Sequence, residues 1–338
     1  MAIYLRIFYE SIRMALQHFR SNKLRTMLSI IGITIGIFCI IAVKSAVDSL
    51  SDSIKELFSG MGSDVLIVDV FPWGEDPNQN YWKYLKRPNP SYEDYEYLKE
   101  KLENASDLAY SALVFGKTLK YKSSSVTGGF VMGTTFEYPN VQDVQIGEGR
   151  YFTAAEYEKG DNKIIIGNEL AEGLFQNEYP IGKYVKLSGQ KFQVIGMIKE
   201  EGDNPFGFSN YDNAVWMSFN TIKKMVNVKN NSRFSSIGNF LYIKAKEGVP
   251  LSQLHDEVQG KLRLARRLTP REDDNFALNE VSLLNSLVDQ FFGVVNLAGF
   301  IIGLFALLVG MISVANIMFV SVKERTNIIG IKKAVGAK

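Results

Sequence analysis

Apolar residues recur at steps of three and four through Leu5, Phe8, Ile12, Ala15 and Phe19, which predicts a helix with one apolar stripe. Arg6, Arg13 and Arg20 form a second stripe beside it, and the pattern suits the headgroup plane and a protein partner equally. Thr26 to Val43 are eighteen uncharged residues, just enough for one membrane-spanning helix. The helical periodicity continues through Val43, Val47, Leu50, Ile54 and Leu57 until Gly60 and Gly62 end it. A counterpart returns at Val281, Leu284, Val288, Phe291 and Val295. These heptad-like stripes predict two stalks able to pack on one another. Gln290 to Val322 then holds thirty-three uncharged residues, a second span that is longer than the hydrocarbon core needs. Within the spans Gly32 with Gly36, and Gly299 with Gly303, form G-x-x-x-G pairs, and Ala306 with Gly310 adds a small pair; all permit close helix approach.

Between the stalks the period shortens. Asp64–Val70, Leu108–Phe115 and Phe240–Ala245 read as strands, with Phe276–Val281 an edge. Ser91–Glu103 and Leu251–Leu268 read as amphipathic helices, the first opened by Ser91 and Glu93. With a hairpin over Lys117–Thr134, this predicts an open sheet with helices on one face. Gln145–Ser218 is strand-rich, at Ile164, Lys183 and Phe192, with a turn at Ser188-Gly189-Gln190, and reads as a β-leaning insert. Phe71–Pro90, rich in Pro, Gly and Trp, reads as a mobile loop.

Charge orients this pattern. Residues 1–25 carry five Lys/Arg against Glu10, and 323–338 carry five against Glu324, whereas the middle, with Lys44 and Asp48 at the end of the first span set aside, holds 27 Lys/Arg against 33 Asp/Glu. Both ends are therefore expected in the cytoplasm and the acidic middle outside. A patterned basic leader of 25 residues favours a spanning helix over a cleaved signal. One cysteine, Cys39, excludes a disulfide within the chain, and only His18 and His255 offer imidazole.

No catalytic constellation emerges. Gly116-Lys117-Thr118 ends like a phosphate loop, but Ser111 stands where that motif needs glycine. Ser188 and Lys191 share a serine–lysine spacing but fall in a hairpin turn. Glu200, Glu201 and Asp203, and Glu272, Asp273 and Asp274, lack calcium-loop spacing and read as solvated turns. Lys261, Arg263, Arg266 and Arg267 read as a solvated basic helix face, and His255 as a surface residue.

Three stretches carry a resemblance: Ala15–Ile37 (A-L-Q-H-F-R-S-N-K-L-R-T-M-L-S-I-I-G-I-T-I-G-I), G-E-G-R-Y-F at Gly147 with P-I-G-K at Pro180, and Ser321–Ala337 (S-V-K-E-R-T-N-I-I-G-I-K-K-A-V-G-A). Together they resemble the permease subunits of MacB-like ABC transporters, a superfamily that includes FtsX. The resemblance implies a multi-pass, α+β membrane protein of the bacterial cytoplasmic membrane. Transmembrane helices with helical stalks would carry an extracytoplasmic porter-like domain with an inserted β-rich sabre-like subdomain. Its boundaries are a cytoplasmic amphipathic helix at 1–25, span one plus stalk at 26–62, and porter-like parts at 63–139 and 219–280. The sabre-like part covers 140–218, stalk plus span two 281–322, and a cytoplasmic coupling helix 323–338. It further implies that Lys323, Glu324, Arg325, Ile329, Gly330, Ile331, Lys332, Lys333, Ala334 and Gly336 dock on a separate ABC ATP-binding subunit. That subunit would hold ATP and Mg, leaving this chain without a cofactor or catalytic role. A second permease copy, a periplasmic adaptor or envelope protein, and membrane lipids are the other expected partners, with no nucleic acid. Family members are taken to work by mechanotransmission or export; the alternative is an FtsX-like regulator of an envelope hydrolase. The family continues into two more spans after the position of Lys338, so a truncated chain is expected. Ile328 stands where the family usually has an acid, which leaves an expected salt bridge without its carboxylate.

Overall fold

Runs of β-branched and apolar residues form strands buried on both sides, and the amphipathic runs form helices laid across them. The computed structural model describes residues 8–9, 23–75, 77–127, 130–176, 178–200, 211–226, 228 and 237–336, so most of the basic amphipathic stripe lies outside the described residues. In chain order the elements are α1 (Lys23–Ser59), β1 (Val65–Asp69), α2 (Pro77–Tyr84), α3 (Tyr92–Lys101), β2 (Ala105–Phe115), β3 (Thr118–Tyr121), β4 (Ser124–Thr127), β5 (Phe130–Thr134), α4 (Tyr138–Val141) and β6 (Ile146–Gly149). There follow α5 (Ala154–Lys159), β7 (Lys163–Ile166), α6 (Asn168–Phe175), β8 (Tyr184–Leu187), β9 (Gln190–Ile198), β10 (Ala214–Ser218), α7 (Phe219–Met225), β11 (Ile237–Ala245), α8 (Leu251–Ala265), β12 (Ala277–Glu280) and α9 (Val281–Ala334). The chain divides into two compact units, residues 56–286 and the paired segments up to Lys55 and from Leu287.

The 56–286 unit is built on one mixed sheet, in the order β12-β1-β11-β2-β5-β10-β7-β9-β8-β3-β4, with β6 on β9. Strand alternation feeds two cores. Leu66, Val68, Ile164, Ile166, Val215 and Met217 face one, and Val65, Ile67, Ile165, Ala214 and Trp216 the other. Helices α3, α6, α7 and α8 supply the larger core, through residues such as Leu98, Leu174, Ile222, Leu254, Val258 and Leu262. On the reverse face α4 adds Tyr138 and Val141. The sheet is thus covered on both sides, not on one.

Two local patterns differ from the sequence reading. The 117–134 stretch divides: β3 pairs β4 from Thr118↔Thr127 to Tyr121↔Ser124, while β5 pairs β2 from Ser111↔Thr134 to Phe115↔Phe130. Val131 to Thr134 are buried, and a buried strand must satisfy its backbone on both edges, which β2 and β10 do. The β3–β4 hairpin instead pairs β8, so it joins the strands of 163–198. Those strands make no separate sheet, and helices α5 and α6 are interleaved with them.

The second difference is the 71–90 segment, which holds helical turns at α2, interrupted at Asn80 (φ −128°, ψ 16°). It is fastened rather than free. The Trp73 N–H donates to Asn279 Oδ1 at 2.9 Å, Asn279 Nδ2 donates to the Phe71 carbonyl at 2.8 Å, and Arg87 Nη1 donates to the Val70 carbonyl at 3.0 Å. Asn279 is fully buried in β12, a partner that no local pattern in 71–90 announces.

Expected turn chemistry appears where the backbone demands it. Ser188 (φ 50°) and Gly189 (φ 86°) form the two-residue, left-handed link between β8 and β9. Ser91 caps α3, its Oγ accepting from the Asp94 N–H at 3.0 Å while Asp94 Oδ2 accepts from the Ser91 N–H at 2.9 Å.

Candidate functional site

In the second unit the glycines that sequence singled out become a helix seam. A Cβ placed on Gly36 would lie 3.1 Å from Ala306 Cβ, one on Gly299 3.1 Å from Val43 Cγ1, and one on Gly310 2.5 Å from Ile33 Cγ1. One on Gly303 would run into the Ile40 side chain. Positions 33, 36, 40 and 43 on α1 therefore meet 310, 306, 303 and 299 on α9. The opposite order makes the helices antiparallel, and the alternating steps of three and four make a heptad-like seam. Three of the four contacts set a branched side chain against a glycine, so the backbones approach closely. Gly32 has nothing within 4 Å of its Cβ position and stands off this seam.

Farther along the pair Lys55 Nζ meets Asp289 Oδ1 at 2.5 Å, and on α1 Lys44 pairs with Asp48 at 3.0 Å. Ser51 and Phe292 are buried, whereas Leu50 and Phe291 are 46% and 64% exposed. Val47, Ile54, Leu57, Leu284 and Val288 are half-buried. Of the stalk stripe read from sequence, Leu50 and Phe291 therefore lie off the packed side. Phe38, Ile41, Phe300 and Phe305 remain at least 60% exposed. Both helices are long and apolar enough to cross a membrane, over Ile30–Phe58 and Val281–Val320.

The basic segment from Lys323 is not a separate helix. It continues α9 to Ala334, and Gly336 (φ 85°) follows in the left-handed conformation that often ends helices. Lys323, Gly330, Ile331, Lys333, Ala334 and Gly336 are exposed, and Gly330 has nothing within 4 Å of its Cβ position. The side chains of Glu324, Arg325, Ile329 and Lys332 lie outside the described residues.

The candidate chemistries resolve into structural pairings. Gly116 and Lys117 link two strands, with no helix following to receive a phosphate. Asp274 accepts from Arg263 and from Gln259 Nε2 at 2.7 Å, Asp273 pairs with Lys83 at 2.8 Å, and Glu272 accepts from the Thr269 N–H at 2.6 Å. These acids are engaged, not merely solvated. Arg266, read as part of a solvated face, is buried: its Nη2 meets Asp94 Oδ2 at 2.8 Å, its Nη1 donates to the Asn275 carbonyl at 3.0 Å, and its guanidinium lies 5.5 Å from the Phe276 ring centre. His255 lies 3.5 Å from Asp256, and no group of three His, Cys, Asp or Glu able to hold a metal occurs among the described residues. Glu201 and Asp203 lie outside the described residues.

The sequence profile of the MacB-like periplasmic core domain matches residues 26–261 of the 338. The chain belongs to this family. Among MacB relatives, it is 27% identical over 329 residues to the macrolide export ATP-binding/permease protein MacB of Marinobacter nauticus, across 97% of this chain and 48% of that protein. With the protein of the same name from Neisseria gonorrhoeae it shares 26% over 331 residues, across 98% and 48%. The chain spans about half the length of the curated relatives it matches. Its fold resembles the crystal structure of the periplasmic region of MacB from Actinobacillus actinomycetemcomitans, with a TM-score of 0.53 at 16% identity over 68% of this chain and 94% of that one. The MacB-like resemblance carried by the two ends and the middle of the sequence is thereby met.

Proposed function

We propose that this chain is the permease part of a MacB-type ABC transporter in the bacterial cytoplasmic membrane, with α1 and α9 as spans and residues 56–286 as its extracytoplasmic domain. ATP and Mg would be held by an ATP-binding subunit, and its closure would act on Lys323–Gly336. The observation that carries this reading is α9. It begins at Val281, the residue after β12 ends, and runs without a break through uncharged 290–322 into the basic segment ending at Ala334. A continuous helix passes displacement along its axis, where a flexible linker would absorb it. The relatives' names support export rather than hydrolase regulation, and a second permease copy with an extracytoplasmic adaptor would complete the assembly. Porter-like and sabre-like parts, as inferred from the family, would move as the helices move.

Co-purification of the full-length gene product with its ATP-binding partner tests this proposal. Association is expected with the unchanged protein and loss of it with Gly330→Glu and Ala334→Glu together, because both positions are exposed and Gly330 has no neighbour that the change could displace. Unaltered association in the double variant would remove the coupling role from this segment.

A further inference from the structure

Strands β9, β8 and β3 lie side by side, with Lys191 opposite Lys186 and Lys186 opposite Lys120. Their alternates Leu119, Val185, Leu187 and Phe192 are buried in the larger core, so the three lysines share the outward face, where all are exposed. Directly opposed residues hold their Cβ atoms about 5 Å apart, which sets three ammonium groups in one row about 10 Å long. Ser125, opposite Lys120, ends the row on β4, and the positions flanking it are Tyr184 opposite Gln193 and Thr118 opposite Thr127. None of these is a carboxylate. Neighbouring Lys122 and Lys183 both pair with Glu178, whereas no ion pair engages Lys120, Lys186 or Lys191 among the described residues.

Like charges directly opposite one another destabilise a sheet. Residues 117–127 and 178–193 nevertheless hold six lysines, no arginine and one acid, inside a middle region where acids outnumber bases. Unpaired charge kept at a cost in stability implies a ligand of opposite sign. We propose that this face binds a polyanion of repeated phosphate groups. A lysine ammonium is a point charge that meets phosphate oxygens in many orientations, whereas planar carboxylates are matched by arginine forks. Protein interfaces are rich in arginine and aromatic residues and poor in lysine, the reverse of this composition. A row of charges across neighbouring strands suits a chain rather than a single small anion. In the sheet order β8 lies seven strands from β1 and eight from β12, about 34 Å or more at about 4.8 Å per strand. The face is thus far across the sheet from the strands that adjoin α1 and α9, which favours a free polymer over a lipid surface. This inference stands on the outer unit alone and is independent of the coupling proposal.

The test uses the full chain in phosphatidylcholine nanodiscs, with Ser125→Cys in a Cys39→Ser background carrying an environment-sensitive fluorophore, so that binding is read at this face and not at the basic ends. Linear polyphosphate is the probe; poly-L-glutamate of equal total charge and phosphatidylglycerol vesicles are the comparisons. A saturable response to polyphosphate is expected, weakening as salt rises. Lys120→Gln, Lys186→Gln and Lys191→Gln together should bind about tenfold to a hundredfold weaker and reduce the slope of log K against log salt by about 2. Lys86→Gln, Lys101→Gln and Lys223→Gln, the same charge lost elsewhere on the unit, should keep the response. Because it relieves like-charge repulsion, the row variant is expected to melt no lower than the unchanged chain by circular dichroism, so its lost response reports binding. No saturable response to polyphosphate, an unchanged response in the row variant, or an equal or tighter response to poly-L-glutamate or to the vesicles would each overturn the proposal.

Discussion

Gly303→Ala separates the seam from ordinary helix propensity. Replacing a helical glycine by alanine favours the helix by about 1 kcal/mol, because less backbone entropy is lost on folding. At Gly303 the new methyl runs into the Ile40 side chain, and overpacking of that kind costs about 1–3 kcal/mol. The clash is expected to win, leaving a net loss of about 1 kcal/mol in pairing. Gly32→Ala meets nothing within 4 Å and isolates the propensity term. The readout follows from the seam itself. A Cβ on Gly299 would lie 4.0 Å from Val43 Cβ, a separation that a disulfide accepts. With Val43→Cys and Gly299→Cys in a Cys39→Ser background, equilibration against a redox buffer gives the effective concentration of the thiol pair. Adding Gly303→Ala should lower it about fivefold to tenfold, Gly32→Ala, which carries the propensity gain alone, should raise it by up to about fivefold, and Ile40→Ala added to Gly303→Ala should restore most of the loss. Equal behaviour of Gly303→Ala and Gly32→Ala would refute the seam.

Other expectations concern the outer unit. Arg266→Met leaves Asp94 buried without its cation and should cost about 3–5 kcal/mol in urea unfolding followed by Trp216 fluorescence, whereas Arg266→Met with Asp94→Asn should cost much less. Burial raises the Asp69 carboxyl to about 6, so its contribution is full at acid pH and is lost as pH rises through that value; Asp69→Asn should flatten this part of the stability profile. Glu156 behaves oppositely. Its hydrogen bond from Arg150 holds the carboxyl at about 2, so its contribution is present above the usual glutamate range and is lost as pH falls toward 2, a loss that Glu156→Gln should abolish. A pH titration of unfolding midpoints showing the same sign for both acids would contradict these assignments.

Patterns that depend on near neighbours in the chain were legible. The Ser91 cap, the Ser188-Gly189 turn, the strands at 65–69 and 240–245 and the helix from Leu251 each follow from local periodicity and turn chemistry, while the strand's start at Ile237 was not read. Arg266 was not: its partners Asp94 and Asn275 lie 172 and 9 residues away, so a basic face looked solvated until the fold buried it. The 71–90 segment misled for the same reason, since its anchor Asn279 lies more than 200 residues on.

The sequence by itself determined two long apolar helices, their glycine spacing, the charge difference between the ends and the middle, and the MacB-like ends, because each is a property of composition or of helical period. Only the tertiary structure decided which face of each helix pairs, and that β5 returns to β2 while β3 and β4 join β8. It alone set Lys120, Lys186 and Lys191 in one row. Strand partners and facing helix sides are chosen by which burial satisfies most backbone and apolar surface at once, and that comparison exists only when distant segments meet.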